Sequence, residues 1–305
     1  MMEQGVVLSG TGGVWRVLTT DGAERDVALR GRLKQGESLK LAVGDLVLIE
    51  SDVRGTTWAI GEILPRRSQL ARRAPGGAFG ERIIAADIDQ VVVVFAAARP
   101  EPHPRMLDRF LVIAEGNELA ARIVVNKIDL VGEDTARDRF GTYERLGYPM
   151  HWTSAITGAG LEKLKEALVD RTSVLTGPSG VGKSSLLNSI YPGLDLRVGA
   201  ISDSVNKGRH TTVGASLHPL PGGGFVVDTP GLREIGLSGL PASSLDSCFP
   251  EMRDLIGECR FADCTHESEP GCAVTAALFS GGISAERYES YRKLRSELRE
   301  MEAKW

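Results

Sequence analysis

The chain has 305 residues, 42% hydrophobic and 25% charged, with a formal net charge of −4. That length predicts two or three domains with a sizeable buried core, so disorder is not the default. The acidic balance argues against a protein that grips nucleic acid by bulk charge. With no apolar run of about 18 residues, no membrane span is expected. The opening MMEQGVVLSG lacks a basic segment followed by a long apolar stretch, and the expectation is a cytoplasmic protein.

Residues 5–65 read as all-β. Short runs rich in β-branched and aromatic residues (VVLSG, VWRVLTT, DVALR, DLVLIES, TTWAIGEIL) alternate with Gly- and Asp-rich turns. They predict a small closed barrel, with the OB-fold as leading candidate. Residues 66–82, rich in Arg, Gly and Pro, read as a connector. Residues 1–75 carry 11 Lys and Arg against 9 Asp and Glu, so the acidic excess lies beyond them. The stretch PRRSQLARR brings together Arg66, Arg67, Arg72 and Arg73. It is either a solvated linker or a patch that contacts phosphates.

From Asp89 the texture changes. QVVVVFAAA is a near-continuous apolar run, as a strand buried on both faces requires. Helical PRMLDRFLVIAEG, strand ARIVVNK, a helix around Thr135–Leu146, strand PMHWTSA, helix GLEKLKEALVD and strand TSVLTG follow in turn. Strands alternating with helices predict a parallel sheet covered on both faces. Strand GGFVVDTPG comes next, then helices and loops around the cysteines, and finally a charged amphipathic helix, SAERYESYRKLRSELREMEAKW. The predicted division is a barrel over 1–66, an α/β domain over 67–235 and a helical domain over 236–305.

Gly177-Pro178-Ser179-Gly180-Val181-Gly182-Lys183-Ser184, followed by Ser185, fits G-x-x-x-x-G-K-[ST] between a β-run and a helical run. Glycines let backbone N–H groups approach phosphate oxygens, and the helix N-terminus adds its positive end. Lys183 is expected to reach the β- and γ-phosphates and Ser184 to ligate Mg²⁺. Asn126-Lys127-Ile128-Asp129 ends a strand. Guanine presents N1–H and N2–H₂ on one edge, and the Asp129 carboxylate can accept both. Asn126 and Lys127 would hold and stack the base. Thr153-Ser154-Ala155, after the next strand, would support it through backbone N–H.

Asp228-Thr-Pro-Gly231 gains weight only from its place after a β-run and beyond the P-loop. Asp228 would hold Mg²⁺ through water, and the Gly231 N–H would touch the γ-phosphate. Thr211 or Thr212, in the loop KGRHTTVG, is the candidate for a mobile ligand of Mg²⁺ and γ-phosphate. Leu232 stands where many GTPases carry a water-orienting Gln, so slow intrinsic hydrolysis is expected. His210 is the nearest candidate to orient or deprotonate water, with an ordinary structural loop histidine as the alternative.

The order of these motifs is permuted. N-K-x-D and T-S-A precede the P-loop, and D-T-P-G comes last. Joining the ends of a domain and reopening it elsewhere preserves the sheet. The switch then leads directly into the C-terminal segment, where loss of γ-phosphate would reposition the C-terminal domain.

Cys259-x₄-Cys264-x-His266-x₅-Cys272 sets three thiolates and an imidazole at the spacing of a closed, structural Zn²⁺ site. Cys248 lies outside that spacing and reads as a core residue.

Taken together, the chain resembles the ribosome small-subunit-dependent GTPase A (RsgA) family over nearly its whole length. The resemblance rests on Gly44-Asp45 and Pro65-Arg66 at the barrel end, the permuted motifs, GRHTT, and CRFADCTHESEPGCAV. It implies an OB-fold, a permuted GTPase and a zinc domain that act on the small (30S) ribosomal subunit and its 16S rRNA in late maturation. GTP hydrolysis would be stimulated by the ribosome. By motif match, nucleotide binding carries over to Asn126–Asp129 and Gly177–Ser185, and zinc ligation to Cys259, Cys264, His266 and Cys272. A monomer suffices. Two other readings stay open: an RNA clamp with GTP as a static ligand, and a regulatory GTPase with a protein partner.

Overall fold

A computed structural model describes residues 2–29, 41–52, 57–73, 81–194, 215–228, 237 and 239–303, with 72, 73, 81, 82 and 228 described for their backbone alone. Strands β1 (Met2–Thr11), β2 (Val14–Thr19), β3 (Glu24–Leu29), β4 (Leu46–Ser51) and β5 (Trp58–Ile63) close into a barrel in the order β1-β2-β3-β5-β4. Only β3 and β5 pair in parallel. Alternate residues Val7, Val17, Val27, Val47, Ile49, Ile60 and Ile63 point inward and form its core. The expected OB-like barrel is what these short alternating runs build.

The stretch read as a connector is a structured element. Gln69–Arg73 (β6) and Glu81–Ala86 (β7) pair antiparallel, Gln69 opposite Ala86. Leu70 and Ala85 are fully buried in the main core, so this hairpin seats the barrel on the following domain. Its many Arg and Gly residues masked a two-strand pattern whose first strand has a single buried apolar anchor, Leu70. The arginine group is also split. Arg66 forks onto Asp45, Nε to Oδ1 at 2.6 Å and Nη2 to Oδ2 at 2.8 Å, and Asp45 is wholly buried. Arg67 is exposed and pairs with Asp89 at 3.2 Å.

The central sheet runs β10-β9-β8-β11-β13-β12. Its strands are β8 (Gln90–Ala96), β9 (Ala120–Asn126), β10 (Met150–Trp152), β11 (Thr172–Thr176), β12 (Ser216–Pro219) and β13 (Phe225–Asp228). All neighbours pair in parallel except β12 with β13. Every residue of β8 is buried, as its apolar run requires. Helices α1 (Pro104–Gly116) and α2 (Glu133–Arg145) cover one face, where Phe95 packs with Phe110 and Phe140. Helices α3 (Leu161–Leu168) and α4 (Lys183–Ile190) cover the other, where Val92 and Val94 meet Leu164, Leu168 and Leu187.

The C-terminal segment holds α5 (Pro250–Arg253), α6 (Ala273–Phe279) and α7 (Ala285–Ala303). Phe249, Tyr291, Leu294 and Leu298 join the α1 side of the sheet in one continuous core. No helix among the described residues is long and apolar enough to cross a membrane.

Candidate functional site

Parallel strands end together, so the turns after β8, β9, β10 and β11 share the C-terminal edge of the sheet. The P-loop leaves β11 and opens α4, with Gly182 as N-cap. Two of its glycines are demanded by close approach. Gly177 has φ +136, and a Cβ there would stand 2.0 Å from the Val94 carbonyl oxygen. Gly182 has φ +95, and its Cβ would stand 2.5 Å from Asn126 Nδ2. Val181 is buried beneath the loop, while Ser179 and Gly180 are exposed at its tip and Pro178 is half-buried. Lys183 and Ser184 are 7% and 6% exposed, and Ser185 is half-buried on the first turn of α4. Lys183 Nζ donates to the Gly177 and Pro178 carbonyls, both at 2.8 Å, so the loop wraps its own lysine.

The N-K-x-D segment is bonded directly to this loop, although it lies about fifty residues upstream. Asn126 Nδ2 donates to the Val181 carbonyl at 2.8 Å, and its Oδ1 accepts from the Ala155 N–H at 3.3 Å. Lys127, in the left-handed region at φ +63, donates to the Gly180 carbonyl at 2.6 Å and to the Arg99 carbonyl. Its stem therefore lies across the P-loop tip. Ile128 is buried and anchors the turn, and Asp129 is exposed toward solvent. The Ser154 hydroxyl, itself buried, donates to Asp129 Oδ1 at 2.6 Å and fixes that carboxylate. The residues predicted to read the base and those predicted to hold the phosphates thus form one connected group.

Strand β13, two positions from β8 in the sheet, delivers Asp228 to the same edge. Residues His210, Thr211, Thr212, Gly231 and Leu232 lie outside the described residues, as does the side chain of Asp228.

The second constellation is in the C-terminal segment. The donor atoms of Cys259, Cys264, His266 and Cys272 lie within 4.8 Å of one another. Cys259 Sγ is 3.9 Å from Cys272 Sγ and 3.5 Å from His266 Nδ1, which is 3.4 Å from Cys272 Sγ. A tetrahedral ion with Zn–S near 2.3 Å needs edges of about 3.8 Å between thiolates and about 3.5 Å from thiolate to imidazole, and Cys259, His266 and Cys272 stand at those spacings with Cys264 within 4.8 Å of each. Burial pushes the Cys264 thiol up to about 12. It acts the same way on Cys272, but the Thr275 N–H and His266 outweigh it and hold that thiol at about 7. Cys248 is buried apart from the group, and burial pushes its thiol up to about 11.

Sequence spacing did not reveal what holds these donors. Asp246 Oδ2 lies 3.3 Å from His266 Nε2 and orients the ring, the carboxylate–histidine arrangement common behind metal ligands. Tyr288 and Tyr291 of α7 donate to the carbonyls of His266 at 2.6 Å and Thr265 at 3.0 Å. Glu269 accepts from the N–H groups of Thr265, Glu267 and Ser268, tying the loop between ligands. Asp246 lies 20 residues before His266 and outside the Cys/His spacing, and no local pattern marks it.

A mostly parallel sheet with a P-loop on one strand, an N-K-x-D turn bonded to it from an earlier one, and a Cys₃His cluster able to hold a metal behind an OB-like barrel define a circularly permuted P-loop GTPase. The RsgA GTPase family pattern matches residues 63–238. A small ribosomal subunit biogenesis GTPase RsgA of Gemmatimonas aurantiaca is 61% identical, over 96% of this chain and 97% of that one. One of Azotobacter vinelandii is 44% identical, over 86% of this chain and 76% of its own. Among solved structures, YjeQ from Thermotoga maritima superposes with a TM-score of 0.81 at 36% identity, over 98% of this chain and 99% of that one. YloQ, a circularly permuted GTPase, superposes at 0.76 with 26% identity, over 99% of this chain and 96% of its own. The chain belongs to the RsgA GTPase family.

Proposed function

We propose that this GTPase works on the small ribosomal subunit during its late maturation, contacting 16S rRNA, and that the subunit stimulates GTP hydrolysis. The observation that carries the nucleotide reading is the Asn126 Nδ2 bond to the Val181 carbonyl at 2.8 Å, which joins base recognition to the phosphate loop. The partner reading is supported by relatives named for small-subunit biogenesis that match along the chain's length.

In this reading Asp129 accepts from guanine N1–H and N2–H₂, held by Ser154, while Asn126, Lys127 and Ala155 wall the base. Backbone N–H groups from Gly177 to Ser185 and the end of α4 cradle the phosphates. Lys183 leaves its carbonyl partners for the β- and γ-phosphates. Ser184, Thr212 or Thr211, and Asp228 would hold Mg²⁺, which when bound neutralises charge on the phosphate oxygens. His210 orients the attacking water and Gly231 donates to the γ-phosphate. Zn²⁺ suits the Cys₃His cluster as a structural ion. The chain works as a cytoplasmic monomer built of segments 1–66, 67–235 and 236–305.

The test is GTP hydrolysis by purified protein with small subunits titrated in and ATP as control. Slow turnover alone, a large rise with subunits and no use of ATP are expected. Turnover that ignores subunits would sink the partner reading, and equal use of ATP the base reading.

A further inference from the structure

Beneath α3, toward the N-terminal ends of β8 and β9, Arg122 and His151 lie together, with Arg171 and Lys163 near enough to repel them and no ion pair to an acid among the described residues. Arg122, the third residue of β9, donates from Nε to Gln90 Oε1 at 3.2 Å, and its Nη1 lies 2.8 Å from His151 Nε2. A guanidinium can only donate, so His151 Nε2 accepts and the ring proton sits on Nδ1. Gln90 is fixed in turn, donating from Nε2 to the Ala167 carbonyl at 2.7 Å and to Ser173 Oγ at 2.9 Å. Its oxygen is thereby aimed at Arg122. Arg171 repels the Arg122 guanidinium, and Lys163 on α3 repels the His151 ring. Among the described residues no Asp or Glu pairs with any of the four.

The most deeply buried arginines among the described residues are paired with acids. Arg66 meets Asp45, Arg287 meets Asp108 and Glu251, and Arg295 meets Glu267. Burying a cation without an anion costs several kcal/mol unless water or a ligand compensates. Here Arg122 and His151 are half-buried, while Lys163 and Arg171 stand exposed at the rim. Burial and the two neighbouring cations hold the His151 ring neutral, down to about 4. The position is separate from the P-loop. Arg122 lies four residues before Asn126 along β9, about 13 Å at the rise of a strand, and His151 three before Ser154, about 10 Å.

We propose that Arg122, His151, Lys163 and Arg171 form an oxyanion site that takes a phosphate group, independent of the nucleotide pocket. Arg122 Nη2, which neither the Gln90 bond nor the His151 bond uses, suits a phosphate oxygen, and the two rim cations add charge. When an anion draws the Arg122 Nη1–H away from His151 Nε2 and offsets the neighbouring cations, that freed nitrogen can take a proton and the ring then donates from both nitrogens. The phosphate could belong to an RNA backbone or be a free ion, and the two sources are separable.

The test follows the His151 ring by ¹H–¹⁵N NMR in the full chain, with His151→Gln to assign it among the five histidines. Inorganic phosphate and a short RNA duplex are titrated separately. The expected result is a rise of one pH unit or more in the midpoint of His151. A response to the duplex alone assigns the site to an RNA backbone, and a response to both assigns it to any phosphate. The exposed change Lys163→Ala is expected to weaken that ligand roughly three- to fivefold, with GTP turnover of the isolated protein unchanged. A midpoint unmoved by either ligand, or an undiminished response in a Lys163→Ala/Arg171→Ala double variant, overturns the proposal.

Discussion

Arg287 of α7 donates from Nη1 to Asp108 of α1 at 2.5 Å, with Nε and Nη2 reaching Glu251 at 2.7 and 3.1 Å. The three side chains are 3%, 1% and 5% exposed. Tyr143 of α2 adds a hydrogen bond to Asp108 at 2.8 Å, and Arg109 forks onto Glu297 beside it. The segment that carries the Cys₃His cluster is therefore bolted to the helices of the GTPase sheet by a buried charge group. Removing Arg287 would strand two carboxylates. Arg287→Ala should cost about 3–5 kcal/mol, read as a fall in the unfolding midpoint in denaturant. A loss under about 1 kcal/mol would show that the group is not a clamp. The same bolt bears on how hydrolysis is transmitted. A C-terminal domain repositioned by the D-T-P-G switch must move with α1 or break this group. Hydrogen exchange of α7 identical in the GDP and GTP-analogue states would exclude the breaking route.

Gly182 faces Asn126 at a distance no side chain tolerates. Gly182→Ala adds a Cβ 2.5 Å from Asn126 Nδ2 at a φ of +95. Strain of roughly 2 kcal/mol is expected there, and it falls where the base and phosphate segments meet. Affinity for a fluorescent GDP analogue should drop at least tenfold while the circular-dichroism spectrum stays intact. Unchanged affinity would mean that the two segments do not act as one site.

Ser154 fixes the Asp129 carboxylate, the group proposed to read the base. Asp129→Asn should transfer preference from guanosine to xanthosine nucleotides, whose ring offers an acceptor where guanine offers a donor. Ser154→Ala should weaken GDP by about 1 kcal/mol, roughly fivefold, by freeing the carboxylate. Competition between GDP and XDP reads both. A guanosine preference that survives Asp129→Asn would remove that residue from base selection.

The metal cluster should be integral to the fold of its segment, which has little core of its own. One zinc per chain is expected by elemental analysis, and a strong chelator should lower the thermal midpoint. Tyr288→Phe removes the 2.6 Å bond to the His266 carbonyl, and should cost about 1 kcal/mol and speed chelation. A protein that melts identically with and without chelator would contradict a structural role.

Much of this was legible in sequence because its signals are local. The P-loop, N-K-x-D and the Cys/His spacing each fall within a dozen or so residues, and β8 announces a buried strand by its run of valines. The hairpin Gln69–Ala86 was not, because its first strand offers one apolar anchor, Leu70, among arginines, and the others, Ile84, Ala85 and Ala86, fall in the short run ERIIAA across a Gly-rich stretch. The Arg66–Asp45 fork and the Arg287 group were not either. Arg287 and Asp108 are 179 residues apart, and a charged residue carries no mark of the partner that folding will bring it. Asp246 behind His266 belongs to the same class.

Convergence of the permuted segments on a single nucleotide is measured most directly by a crystal structure with a non-hydrolysable GTP analogue. The expected complex has the Asp129 carboxylate at about 3 Å from guanine N1 and N2, with Lys183 turned from its loop carbonyls onto the phosphates. A guanine bound away from Asp129, with the triphosphate still in the P-loop, would contradict the account.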